Sequence, residues 1–316
     1  MMTLRCILYV SLMVAPWHPA ERPGQAPLEK QSGQPPLGAA SPAAPRSKRA
    51  LIIAIGAYDQ QPTGWKALNA VNDVPLVREA LLRHGFAAAD IAVLTDRACT
   101  KAGIVGAIQS HLIDAAKPGD VVFLHYTGHG QRIVDDNGDE ADGFDEALIP
   151  IDAPNKYRQK GYRGENHLRD DEFGSLLDRI RRKVGAGGEV IFTVDACHSG
   201  SITRGDGLEN PAAPAEPTGY IEMPALPGAQ AGLAPFVVFS SSSYNQPTSE
   251  TFGPGKQPVG PLSYAFSRSF AAATPKVTYR HLYAEIKKIM AGTVPKQTPQ
   301  VEGDLDRPVL GAPGAE

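Results

Sequence analysis

Two apolar runs dominate the hydropathy pattern of this chain: GDVVFLHYTGHG at residues 119–130 and GEVIFTVDACHSGS at residues 188–201. Both are rich in β-branched and aromatic residues and bounded by Gly and Asp, the pattern of a strand buried on both faces. A third run, RALIIAIGAY at Arg49–Tyr58, predicts another central strand ending at Gly56. Ile91–Leu94, Phe236–Ser240 and Pro308–Leu310 predict shorter ones. Between the strands the apolar period lengthens to that of a helix. Val74, Val77, Leu81 and Leu82 predict a helix over Asp73–His84 with Gly85 as its C-cap. Ile104, Ile108 and Leu112 predict another, N-capped by Thr100 and running to Ala116. A third opens at Asp170 or Asp171, carries Leu176, Leu177 and Ile180, and closes at Gly185; two more are expected at 261–272 and 279–290. Strands alternating with helices imply βαβ units. The expected fold is an α/β three-layer sandwich, a mostly parallel central sheet with helices on both faces.

The flanks read differently. In residues 1–20 an apolar run, Cys6–Ala15, follows one Arg and precedes Pro16. It is too short to span a bilayer and suits a signal peptide, so export to the periplasm or exterior is expected, with a cytoplasmic location as the alternative. Residues 21–48 are rich in Pro, Ala and Gln and predict a disordered linker. One domain is then expected over 49–311, with a Pro/Ala/Gly-rich surface loop inserted at 205–234.

Composition narrows the chemistry. Of 316 residues 42% are apolar, enough for a sizeable core. A formal net charge of −3, with no basic stripe, argues against nucleic-acid binding. The three cysteines, Cys6, Cys99 and Cys197, make neither a disulfide framework nor a CxxC zinc pair. Cys197 and His129 each fall where a buried strand gives way to small polar residues, and parallel sheets gather functional groups at such edges. A thiolate next to an imidazolium is a nucleophile with its proton acceptor. Taken alone, Cys197 reads as a small core residue; the pairing is what changes that. His125 and His198 are the rival imidazoles. Backbone N–H groups of Gly130 and Cys197 are candidate oxyanion donors. A tyrosine-phosphatase loop, H-C-x5-R, is excluded because Ala196 precedes the cysteine and Arg204 lies one place too far.

YTGHG followed by DACHSG resembles the caspase/metacaspase clan of cysteine peptidases. The acidic segment between them makes the chain most similar to type I metacaspases and their bacterial relatives, from about Arg49 to Leu310. The resemblance implies a caspase-like fold and a thiol endopeptidase acting on peptides and proteins; a monomer, with no nucleic acid and no stable membrane span, is expected. His129 would be the base and Cys197 the nucleophile of an acyl-enzyme mechanism. Asp73, Thr127 and Asp195 would line the pocket for the residue before the cut bond, where carboxylates select Arg or Lys. Asp73 as a helix cap and Asp195 as a turn support is the other reading. Ala70 stands where many metacaspases carry a cysteine. A catalytically silent caspase-like module that binds peptides or partners is the alternative function.

DDNGDEADGFDE at residues 135–146 nearly fits an EF-hand loop, but Glu140 replaces the glycine that its turn requires. By resemblance, calcium ligands would map instead to Asp145, Asp170 and Asp171, with Arg204 in the place of a fourth aspartate and Asp206 close by. Calcium dependence is therefore expected to be weak or absent. An acidic solvated loop and a helix N-terminus would account for the same residues. Self-cleavage is expected at Arg204 or nearby, with Lys48-Arg49 and Arg163 as further basic sites.

Overall fold

Alternation along the first strand sends side chains into two separate cores. The computed structural model describes residues 46–138, 143–156, 161–198, 232–241 and 249–311, with the backbone alone at 197 and 198. These residues belong to one compact unit, Pro45–Glu316. The expected signal peptide, nearly all of the expected linker, Arg204, Asp206 and most of the 205–234 loop lie outside them.

In chain order the strands are β1 (Lys48–Ala54), β2 (Ile91–Thr95), β3 (Val121–Val134), β4 (Phe144–Leu148), β5 (Leu168–Arg169), β6 (Glu189–His198) and β7 (Phe236–Ser240), with β8 (Thr251–Phe252), β9 (Pro258–Val259) and β10 (Gln300–Gly303) after them. The main sheet runs β10-β7-β6-β3-β1-β2, and β4 and β5 extend it beside β3. The four central pairings are parallel; those of β10 with β7, β4 with β3 and β5 with β4 are antiparallel. The helices are α1 (Gln60–Thr63), α2 (Asp73–Arg83), α3 (Lys101–Ala107), α4 (Asp170–Val184), α5 (Pro261–Ala272) and α6 (Tyr279–Thr293), and Ile108–Asp114 continues α3 as a π-helix.

Leu51 and Ile53 of β1 pack with Ile104, Ile108, Leu112, Leu177 and Ile180 on one face. Ala50 and Ile52 pack with Val77, Leu81, Phe266, Phe270 and Ile286 on the other. Each fully buried Leu, Ile or Phe contributes about 1.5–3 kcal/mol, so neither helix layer is dispensable. The expected three-layer α/β sandwich is thus what the chain forms. Local signals hold as well: Thr100 Oγ1 accepts from the Gly103 N–H at 3.0 Å. Acidic Asp170, Asp171 and Glu172 open α4, and basic Arg181, Arg182 and Lys183 close it, as the helix dipole favours.

Two expectations change. β3 does not stop near His129 but continues to Val134, because its second half pairs with β4 and buries Ile133. His129 therefore lies inside a strand. Pro308–Leu310 forms only a single bridge, Thr278 with Pro308. Pro308 lacks an N–H for a ladder, and Leu310 has a φ of 56°. The last strand is instead Gln300–Gly303, a polar edge strand antiparallel to β7. Among the described residues no helix is long and apolar enough to cross a membrane.

Candidate active site

Alternate rungs of the β3–β6 ladder carry the expected residues. Thr127 lies opposite Asp195, and His129 lies opposite Cys197, on strands about 4.8 Å apart. Gly130 follows, opposite His198 of β6 on one side and Leu148 of β4 on the other.

The segment between β1 and α2 closes around the His129 ring. It is anchored where the N–H groups of Gly56 and Ala57 both donate to Asp96 Oδ1 at 2.8 Å. Trp65, fully buried, stacks on the imidazole with ring centroids 4.8 Å apart, and its Nε1 donates to the Ala153 carbonyl. The Tyr58 hydroxyl accepts from the His129 N–H at 3.2 Å and donates to the Ile149 carbonyl at 2.7 Å. The Tyr126 hydroxyl donates to the His129 carbonyl at 2.8 Å. A Cβ at Gly128 would sit 2.9 Å from both hydroxyls, so glycine is what lets the two tyrosines meet the strand here.

His129 Nε2 lies 2.8 Å from the Lys66 carbonyl. A carbonyl only accepts, so the proton sits on Nε2 and the lone pair on Nδ1. Nδ1 is buried and has no hydrogen-bond partner among the described residues. Burial lowers the His129 pKa, against the opposing pull of the Lys66 carbonyl. The imidazole is thus a neutral base at neutral pH.

Two rungs back along the ladder, two carboxylates share a buried pocket. Asp73, in the first turn of α2, accepts from Thr127 Oγ1 at 2.7 Å and from the Gly260 N–H at 2.8 Å. Asp195 accepts from the Ser263 N–H at 2.7 Å and from Ser263 Oγ at 2.8 Å. Burial holds both carboxyls well above the ordinary carboxylate range, and the like charge of Asp195 raises Asp73 further. No cation of the described chain offsets either group. The structure therefore brings Asp73, Thr127 and Asp195 together. His125 is fully buried behind them, between Thr193 Oγ1 (2.6 Å) and Ser263 Oγ (3.3 Å), and burial pushes its pKa down to about 3. It braces Ser263.

Asp145, Asp170 and Asp171 also converge, each offering an oxygen within 4.8 Å of the others. Asp145 is pushed up to about 6 by burial, although the Arg169 guanidinium bonded to its Oδ2 pulls the other way. Its Oδ1 is buried with no hydrogen-bond donor among the described residues. An orphaned buried carboxylate oxygen beside two more carboxylates fits a hard divalent cation such as calcium.

Sequence reasoning missed Tyr58, Trp65, Lys66, Gly260 and Ser263. Lys66 acts through its backbone carbonyl, which no side-chain pattern signals. Trp65, a lone large aromatic within a polar, glycine-containing loop, was the one readable hint.

The family described as Caspase domain matches residues 47–310. Metacaspase-1B of Neosartorya fischeri is 35% identical over 200 residues, which cover 58% of this chain and 44% of that protein. Metacaspase-7 of Arabidopsis thaliana is 36% identical over 162 residues, covering 49% and 36%. The chain thus spans less than half the length of these relatives. The crystal structure of protein GSU0716 from Geobacter sulfurreducens aligns with a TM-score of 0.56 at 22% identity, covering 84% of this chain and 99% of that one. At that identity the likeness speaks for the fold alone. Sheet order and the family match over residues 47–310 lead to one conclusion: the chain belongs to the caspase-domain family.

Proposed function

We propose that the protein is a cysteine endopeptidase that cuts after Arg or Lys, using His129 and Cys197. The observation that carries this reading is the rung pairing His129 with Cys197, joined to a neutral imidazole whose Nδ1 has no partner among the described residues. In the proposed reaction Nδ1 takes the thiol proton, and the thiolate attacks the carbonyl carbon of the scissile peptide. The resulting oxyanion is met by the backbone N–H groups of Gly130 and Cys197. The C–N bond then breaks as the imidazolium gives its proton to the leaving amine, which leaves a thioester. Water, deprotonated by His129, hydrolyses it. The stack of Trp65 and the Lys66 carbonyl keep the ring oriented throughout.

Specificity for a basic side chain is supported by Asp73 and Asp195, two buried carboxylates with no counter-cation among the described residues. A guanidinium or ammonium arriving between them supplies what the pocket lacks. The caspase-like pattern of holding an acidic residue would need arginines, and none faces these groups among the described residues. Asp145, Asp170 and Asp171 would hold calcium, whose role would be to neutralise and brace that acidic corner; dependence on it is proposed to be weak. We further propose that the enzyme acts as a monomer.

Labelling with a peptidyl-arginyl chloromethyl ketone tests the reading, with Cys197→Ala and His129→Ala as controls. One stoichiometric adduct on Cys197, absent from both variants, supports it. A folded wild-type protein that neither labels nor hydrolyses any peptide favours the silent, peptide-binding module instead.

A further inference from the structure

Arg169 occupies the middle of the acidic corner. It ends β5, pairs with Ala147 of β4, and immediately precedes Asp170, the first residue of α4. Its side chain is 9% exposed and every nitrogen is engaged. Nε lies 3.1 Å from Asp136, Nη1 donates to the Val134 carbonyl at 2.9 Å and to Asp145 Oδ2, and Nη2 donates to the Arg163 carbonyl at 3.1 Å. Asp145 is 1% exposed, and its second oxygen has no donor among the described residues. Asp171 accepts from Asn137 at 2.6 Å, and Asp170 accepts from the Asp171 N–H.

We propose that Arg169 is a built-in counter-cation: it holds β4, β5 and α4 together without a metal, and it weakens the grip of this acidic corner on a divalent cation. The inference rests on the reading of Asp145, Asp170 and Asp171 as cation ligands. A buried carboxylate is costly unless neutralised, and the guanidinium neutralises Asp145 from a position fixed by two backbone carbonyls. Such a group is not free to swing away when an ion arrives. Its charge therefore stays beside the incoming cation, in a partly desolvated corner where repulsion is felt strongly. Calcium affinity follows the net charge of its ligand shell, and Arg169 subtracts one unit.

The test uses the full chain carrying Cys197→Ala, to prevent self-cleavage, with calcium titrated by calorimetry and melting followed in EDTA and in calcium. Arg169→Gln should melt lower in EDTA, bind calcium about tenfold tighter than the parent, and recover its melting temperature when calcium is added. Arg169→Lys, which keeps the charge, should stay near the parent, and Asp145→Asn added to Arg169→Gln should abolish binding. An Arg169→Gln chain that unfolds in EDTA should refold with calcium; one that stays unfolded at millimolar calcium overturns the proposal. Binding by Arg169→Gln no tighter than by the parent overturns the counter-cation role while leaving the cation site standing. No binding by any variant removes the cation site itself, and the proposal with it.

Discussion

Asp73 and Asp195 converge on the same α-carbon, that of Gly260, one from α2 and the other from β6. A Cβ at Gly260 would lie 2.7 Å from Asp73 Oδ2 and collide with Asp195 Oδ2. The pocket thus depends on a residue with no side chain, placed at the entry to α5. Gly260→Ala should lower kcat/KM for arginyl peptides by about tenfold or more, because displaced carboxylates lose their alignment on the substrate cation. Alkylation of Cys197 by iodoacetamide should be little changed. Equal losses in both assays would place Gly260 in the fold and not in the pocket.

The same pair sets a pH dependence with opposite signs for stability and activity. Both carboxyls have folded-state pKa values above their unfolded value, chiefly through burial. The folded chain therefore binds their protons more tightly. Their contribution to stability is complete below about pH 4 and is lost as pH rises toward neutrality. Activity on basic peptides runs the other way, since the substrate cation needs the ionised form. KM for arginyl peptides should rise as pH falls from 7 to 5, while the melting temperature of the substrate-free protein should carry a stabilising increment. Asp73→Asn should flatten both trends; a profile identical to wild type would assign them to other groups.

The tyrosine and tryptophan around His129 separate stability from catalysis. Tyr58→Phe strips the hydroxyl that joins the His129 N–H to the Ile149 carbonyl. Leaving a buried N–H unpaired costs about 1–3 kcal/mol, readable by denaturant unfolding. Trp65→Leu removes the ring stacked on the imidazole and should lower kcat more than it raises KM, because Nε2 is then less firmly held on the Lys66 carbonyl. A Trp65→Leu enzyme with wild-type kcat would show that the ring is oriented by Lys66 alone.

How far the sequence spoke for this site follows from the kind of atom involved. Buried strands announce themselves by apolar runs, so β1, β3, β6 and β7 were legible, and with them an imidazole and a thiol on facing strands, though not the register that puts His129 opposite Cys197. Asp73 and Asp195 were legible as acids, though the glycine they surround was not, because its contribution is the absence of a Cβ. β4 and β5 were hidden by their length and by Asp145, Glu146 and Arg169, polar residues that look like loop until Arg169 pairs with Asp145 and Arg132 with Glu146. The extension of β3 past His129 was concealed for the same reason, since its partner strand could not be read. Lys66 contributes a carbonyl that every residue possesses.

Self-processing gives the sharpest prediction about the chain itself. Lys48 and Arg49 are not a loose junction but the first residues of β1, paired with Val121 and Val122. Arg49 Nε lies 3.5 Å from Asp120, and Lys48 Nζ donates to the His84 carbonyl. Arg46 is held as well: Nε donates to the Gly119 carbonyl at 3.1 Å and Nη1 to that of Gly311 at 2.7 Å, with Nη2 3.4 Å from Glu189. The Arg163 carbonyl accepts from Arg169, and its N–H donates to Glu165. A peptidase cleft takes an extended segment whose backbone and basic side chain are both free to leave the surface, and none of these four offers one. Arg204, outside the described residues, is the remaining expected site. Purified protein should therefore split into two chains, the second beginning at Gly205, and Arg204→Ala or Cys197→Ala should keep it whole. Intact-mass analysis with N-terminal sequencing decides the matter: a product beginning at Ser47 or Ala50 would mean that β1 detaches from the sheet before cleavage, and the assignment to Arg204 would fall.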